Sequence, residues 1–169
     1  YPPGTPWNQV DSNCRVAGAA ALLNQRRGQR VIEVSQGIYQ QSTPELQQAE
    51  IAAACTAAQE ANAVFPHTVT SLVFTNEYVT DTVTTNAVTA MLTAHKPAVN
   101  VLGLTVGVRS QTFGPLTNPA SPYLAPLQTL VRNCDFILCN LYPPNPPGTI
   151  QDSLFSVTRA FDGITAAVV

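Results

Sequence analysis

Four short apolar runs alternate with helical patterns along this chain, and that alternation limits the fold more than any other feature. The runs are Val31-Ile32-Glu33-Val34, Val69 to Phe74, Val101 to Val108 and Phe136 to Leu141, so their starts lie 38, 32 and 35 residues apart. Around them the apolar spacing turns helical. Val16, Ala19, Ala20 and Leu23 make one apolar side of a helix that starts at Asp11 or Ser12 and stops at Gly28. Ser42-Thr43-Pro44-Glu45 reads as a capping box, with Pro44 in the first turn, and opens a helix to about Ala63. Asp81 or Thr82 caps a third helix carrying Val83, Ala87, Val88, Met91 and Leu92. Short helices over Leu124 to Val131 and Ile150 to Phe161 complete an α-β-α-β-α-β-α-β-α order. Apolar strands of this kind belong to a sheet covered on both faces, so a parallel sheet with helices outside is expected.

Composition removes several classes of function. The 169 residues, 45% hydrophobic and 11% charged, suit a packed domain and not a disordered chain. The net charge is -2 and the densest basic cluster is Arg26, Arg27 and Arg30, so no nucleic-acid partner is expected. No apolar stretch approaches the ~20 residues of a membrane span, so no membrane partner is expected either. Residues 1–11 read as an irregular Pro/Gly-rich lead-in, a processed end or an arbitrary cut. A single lysine, Lys96, amid abundant Thr, Gln, Asn and Pro points to a secreted, extracellular protein.

The cysteines Cys14, Cys55, Cys134 and Cys139 allow three pairings. They lack zinc spacing, and His67 and His95 stand alone, so neither a metal nor another cofactor is expected. In a secreted chain one or two disulfides are expected, Cys14 with Cys55 if their helices are neighbours; four buried thiols are the alternative.

Gly103 and Gly107 lack the spacing of a phosphate-binding loop, and the strand pattern alone permits either a doubly wound sheet or a barrel. In both, sites form beyond the C-terminal ends of the strands. Those ends carry Gln36, Gly37 and Tyr39, then Asn76, Glu77 and Tyr78, then Arg109, Ser110 and Gln111, then Asn140 and Tyr142. A carboxylate, amides, an arginine and aromatic rings on one rim suit a sugar, which offers hydroxyls to amides and flat faces to rings. Glu77 follows Leu72-Val73-Phe74, where burial is expected to raise its pKa and keep it protonated as a general acid. A solvated loop glutamate, or a cap of the next helix, is the competing explanation.

The segment Leu72-Val73-Phe74-Thr75-Asn76-Glu77-Tyr78 resembles the V-G-N-E segment of family 17 glycosidases, with Thr75 where the family has glycine. Val31 to Tyr39 is similar to the family's third strand and Leu102 to Val108 to its fifth. Asp135-Phe136-Ile137 through Asn140-Leu141-Tyr142-Pro143 resembles the D-x-I-x-x-N-x-Y-P segment of its strand six, and Cys14 sits in a segment similar to one in fungal members. The match in order extends over roughly residues 12–165. The resemblance implies an α/β fold in which residues 1–169 form a single partial (β/α)8 TIM barrel of about four strands. It implies a retaining β-1,3-glucan hydrolase or transglycosylase, with Glu77 as acid/base and Asn76 on the 2-hydroxyl of the cleaved sugar. Tyr142 would face the reaction centre, and Asn140 and Tyr39 would bind substrate further out. Asn76 as a turn residue and Tyr142 as a loop ring are the plainer alternatives.

Such chemistry needs two carboxyl groups about 5–5.5 Å apart. The family's E-T-G-W-P segment with the nucleophile is absent: the only tryptophan is Trp7, and after Tyr142 the carboxylates are Asp152 and Asp162. Glu33 is expected inside strand one, and Asp135 at the opposite rim. A full barrel takes about 250 residues. The chain therefore reads as a segment of a longer enzyme, as a half-barrel forming a homo-oligomer, or as a noncatalytic relative. That relative would bind β-glucan or another polysaccharide, or self-assemble in a cell wall. An unrelated parallel α/β protein with a chance Asn-Glu pair is the weakest reading.

Overall fold

The computed structural model describes residues 12–111, 113–142 and 149–168, the first three of them as backbone only. Helix α1 (Ser12–Arg27) leads to strand β1 (Val34–Ile38), and α2 (Pro44–Val64) to β2 (Val69–Asn76). Helix α3 (Thr82–Val101) then leads to β3 (Thr105–Ser110). A 3-10 turn at Gly114–Thr117, absent from the sequence expectation, precedes α4 (Leu124–Asn133), β4 (Phe136–Cys139) and α5 (Ile150–Val168). The four strands pair in parallel in the order β1-β2-β3-β4. This is an α/β fold with parallel strands alternating with helices. The expected lead-in over 1–11 and residues 143–148 lie outside the described residues.

The helices begin and end for identifiable reasons. Thr43, not Ser42, caps α2: its hydroxyl accepts from the Leu46 N–H at 3.3 Å. Asp81 caps α3 in a reciprocal box with Thr84. Helices α1 and α3 both stop on a left-handed glycine, Gly28 (φ 64) and Gly103 (φ 73). In each the following residue bonds back to the last turn, Gln29 N–H to Asn24 O and Leu104 N–H to Val99 O.

Two strand starts differ from expectation. The first strand begins at Val34 rather than Val31, because the side chain of Asn24 takes the N–H groups of Val31 and Ile32 before they can join the sheet. Glu33 therefore lies just before the strand and not inside it. The third begins at Thr105 rather than Val101, since α3 runs through Pro97 to Val101, which is 85% exposed.

Residues across the sheet align in rows. Ile38, Phe74, Val108 and Ile137 share one row, and Gly37, Val73, Gly107 and Phe136 share the row before it. Alternate rows face opposite sides. Ile38, Leu72, Phe74, Val106 and Val108 are all 2% exposed or less, in one cluster with Ile51, Ala54 and Ala58 of α2 and Val88 and Leu92 of α3. On the other face the Ser71 and Ser35 hydroxyls bond at 2.8 Å and Phe136 lies over Gly107. That face is open along β1, where Ser35 and Gly37 are exposed, so only one face of the edge strand is covered by the described residues.

The disulfide expectation needs correction. Cys55, Cys134 and Cys139 are free thiols, and the side chain of Cys14 lies outside the described residues. Cys134 and Cys139 stand before and at the end of β4. At about 3.3 Å per residue that is more than twice the 4.4–6.8 Å a disulfide spans. Burial raises all three thiols, that of Cys134 to about 12.

Candidate functional site

The C-terminal end of β2 is bent by its own backbone. Thr75 (φ 62) and Glu77 (φ 57) both take the left-handed conformation, and the β2–β3 register slips between Phe74 and Asn76. A β-branched residue such as Thr75 rarely adopts that conformation, so the bulge is a strained feature of the kind that re-aims side chains beside sites. It turns Asn76 out to solvent and leaves Glu77 half-buried, with the Glu77 N–H bonded to the carbonyl of Arg109 at 2.9 Å.

The end of β4 meets Glu77 from the far side. The Asn140 N–H donates to the carbonyl of Ser110 at 2.9 Å, which fixes the residue at the rim. Its side-chain amide donates to Glu77 Oε1 at 2.5 Å, and the Tyr142 hydroxyl donates to the same oxygen. Arg109 Nε donates to Asn140 Oδ1 at 2.9 Å. An Arg109–Asn140–Glu77 chain thus ties the ends of three strands, and Tyr142 closes it. Among the described residues no bond reaches Glu77 Oε2.

This arrangement reverses the expected titration of Glu77. The hydrogen bond from Tyr142, and then that from Asn140, lower its pKa; partial desolvation opposes them and the Arg109 charge adds to them. The same contact raises the Tyr142 phenol. Burial does not dominate because the bulge leaves the carboxylate at the rim among donors. With a depressed pKa, the cluster is intact above the ordinary glutamate value and comes apart as pH falls through the lowered one. We expect the Glu77 side-chain carboxyl resonance to titrate below the ordinary range, and Tyr142→Phe to move its midpoint back up. An unshifted midpoint in the unaltered chain would mean the cluster does not form in solution.

Beside the cluster lies a groove of ≈ 520 Å³ across the strand ends, lined by Gly37, Tyr39, Val73, Thr75, Asn76 and Arg109 among others. The candidates therefore divide: Glu77, Asn140 and Tyr142 touch, while Asn76 and Tyr39 line the groove. Arg109 joins both groups, a role that its place at a strand end did not reveal. Glu50 also lines the groove. Helical spacing alone does not show that the first turns of α2 stand beside the strand ends, so Glu50 carries no signal of this in the sequence.

The other carboxylates serve elsewhere. Glu33 bonds Thr70 at 2.7 Å and Arg30 at 3.3 Å. Asp135 pairs with Lys96 at 2.5 Å and takes the Val106 N–H at 2.8 Å, at the N-terminal rim as expected. Asp152 takes the Thr149 N–H at 2.9 Å at the start of α5. Among the described residues no group of three or more His, Cys, Asp or Glu side chains is placed to hold a metal ion. No described helix is long and apolar enough to cross a membrane.

No family model, curated protein or solved structure matches this chain.

Proposed function

We propose that this rim is the acid/base half of a retaining β-1,3-glucan hydrolase or transglycosylase, on a sheet that forms part of a (β/α)8 barrel. One observation carries the reading: a carboxylate at a C-terminal strand end, Glu77, is held by an amide and a phenol from another strand end, beside an open groove. The strand order supports the barrel, because four parallel strands follow one another without the reversal that marks a doubly wound sheet.

In that chemistry Glu77 protonates the leaving glycosidic oxygen, then takes a proton from water or an acceptor hydroxyl. Asn76 holds the 2-hydroxyl of the sugar, and Arg109 fixes the amide of Asn140. The acid step needs a proton on Glu77, and a nucleophilic carboxylate nearby would supply the like-charge repulsion that holds one there. Within the described residues Glu77 has donors as its bonded neighbours instead, and its pKa is lowered. That observation favours a second reading for this chain by itself: a secreted or wall-associated protein that binds glucan without cleaving it.

Both readings are tested together. The 169-residue chain is expected to bind a β-1,3-linked glucose oligosaccharide and to release no reducing sugar from the polymer. In a polypeptide that also supplies the second carboxylate, Glu77→Gln should lower turnover by about 10²–10⁴-fold with binding retained. Near-normal turnover in that variant would remove Glu77 from the acid/base role. Absence of binding by the unaltered chain would end both readings.

A further inference from the structure

The hydrogen bonds around Glu77 run in a direction that one residue dictates. An arginine only donates and stays charged, an amide offers an oxygen on one side and an NH2 on the other, and an ionised carboxylate only accepts. Arg109 Nε donates to Asn140 Oδ1 at 2.9 Å, so the oxygen of that amide is committed to the β3 side. Its nitrogen is thereby turned to Glu77, where it donates to Oε1 at 2.5 Å. Arg109 also grips Glu77 by a second route, since its carbonyl accepts the Glu77 N–H at 2.9 Å. One exposed residue of β3 therefore sets the main chain of Glu77 and, through Asn140, the surroundings of its carboxyl group.

The two oxygens of Glu77 are left unequal. Oε1 receives the Asn140 amide and the Tyr142 hydroxyl, and among the described residues Oε2 receives no bond. A proton added at Oε1 would meet two donors; a proton added at Oε2 leaves both bonds in place. With the Asn140 amide turned over, Oδ1 would face Glu77 and hold a proton on Oε1 instead. The donor from Arg109 is what forbids that arrangement.

We propose that Arg109 is a positioning residue which, through Asn140, reserves Oε1 of Glu77 as an acceptor and so places the proton that Glu77 transfers on Oε2. In the transfer the Oε2–H bond breaks, the proton passes to the glycosidic oxygen, and the carboxylate left behind already has its donors on Oε1. The use of that proton rests on the acid/base reading above; its placement does not. The test follows the Glu77 carboxyl and Asn140 side-chain amide resonances against pH in the 169-residue protein, without sugar. Arg109→Met is expected to raise the Glu77 midpoint by about half a pH unit, the scale of one partly solvated hydrogen bond. It should also uncouple the Asn140 amide protons from the Glu77 titration. Arg109→Lys, which keeps a donor, should restore both. In an Asn140→Ala background Arg109→Met should move the midpoint less than half as far, because only the direct effect of the charge is left. An unmoved midpoint in Arg109→Met, or an equal shift in the two backgrounds, would overturn the proposal. Should Arg109→Met not fold, a raised midpoint in Arg109→Lys would do the same. Failure to bind glucan would remove the acid/base reading and leave these titrations unchanged.

Discussion

Replacing Asn24 with alanine is expected to lower the unfolding free energy by about 2–4 kcal/mol, the range for leaving several buried polar groups without partners. Asn24 is fully buried at the last turns of α1. Its amide nitrogen donates to the Ile32 carbonyl at 2.8 Å and to the Thr68 hydroxyl at 3.1 Å. Its oxygen accepts the N–H groups of Val31 and Ile32 at 2.8 and 2.9 Å. One side chain thus sets where the chain enters β1 and ties that entry to the residue before β2. Asn62 repeats the device from α2, bonding both the N–H and the carbonyl of Val69 at 2.8 Å. Asn62→Ala should cost less, having two bonds to lose, and the double variant should be non-additive because Thr68 and Val69 are neighbours. Urea unfolding measures all three. A loss under ~0.5 kcal/mol for Asn24→Ala, the size of an ordinary surface change, would show that water replaces the amide.

These two asparagines also explain where the sequence stopped being readable. The apolar runs and caps located all four strands and five helices, since apolar periodicity, Gly28, Pro44 and Asp81 act within a few residues. Strand starts were misplaced at Val31 and Val101 for two reasons: a buried amide reaches forward from α1 and takes the N–H groups of Val31 and Ile32, and α3 runs on through Pro97 until it stops at Gly103. Val31 and Ile32 look like strand residues by composition, yet both are exposed and bonded to a side chain. At the site, Glu77, Asn140 and Tyr142 were legible from strand-end position, and the structure joins them. The direction of the Glu77 pKa shift was not legible, because it depends on a bulge and on donors from a strand 63 and 65 residues away. Glu50 and Arg109 acquire their places only when α2 and β3 are set beside the groove.

Gly107→Ala is expected to detach β4 and, through it, to dismantle the Glu77 cluster. A Cβ on Gly107 would lie 2.6 Å from the Phe136 carbonyl oxygen and would also overlap the Phe136 ring. A ring can rotate away, but a carbonyl is fixed in the strand. Relief therefore requires movement of β4, a four-residue edge strand paired only with β3 among the described residues. Overpacking of this kind costs about 1–3 kcal/mol, more where backbone must shift. Phe136→Ala placed on top should recover only part of the loss, because the backbone contact persists. The chemical consequence is larger than the stability change. Asn140 and Tyr142 follow β4 directly, so its displacement takes both donors from the Glu77 carboxylate. In folded Gly107→Ala protein the Glu77 pKa should therefore return toward the ordinary glutamate range, while the Lys96–Asp135 pair at the start of β4 also loosens. Carboxyl-resonance titration against pH reads the first effect and amide exchange along Phe136–Cys139 the second. Unaltered protection in β4, with Glu77 still titrating low, would mean that the sheet absorbs a methyl group at Gly107 and that the cluster does not depend on close packing of β3 against β4.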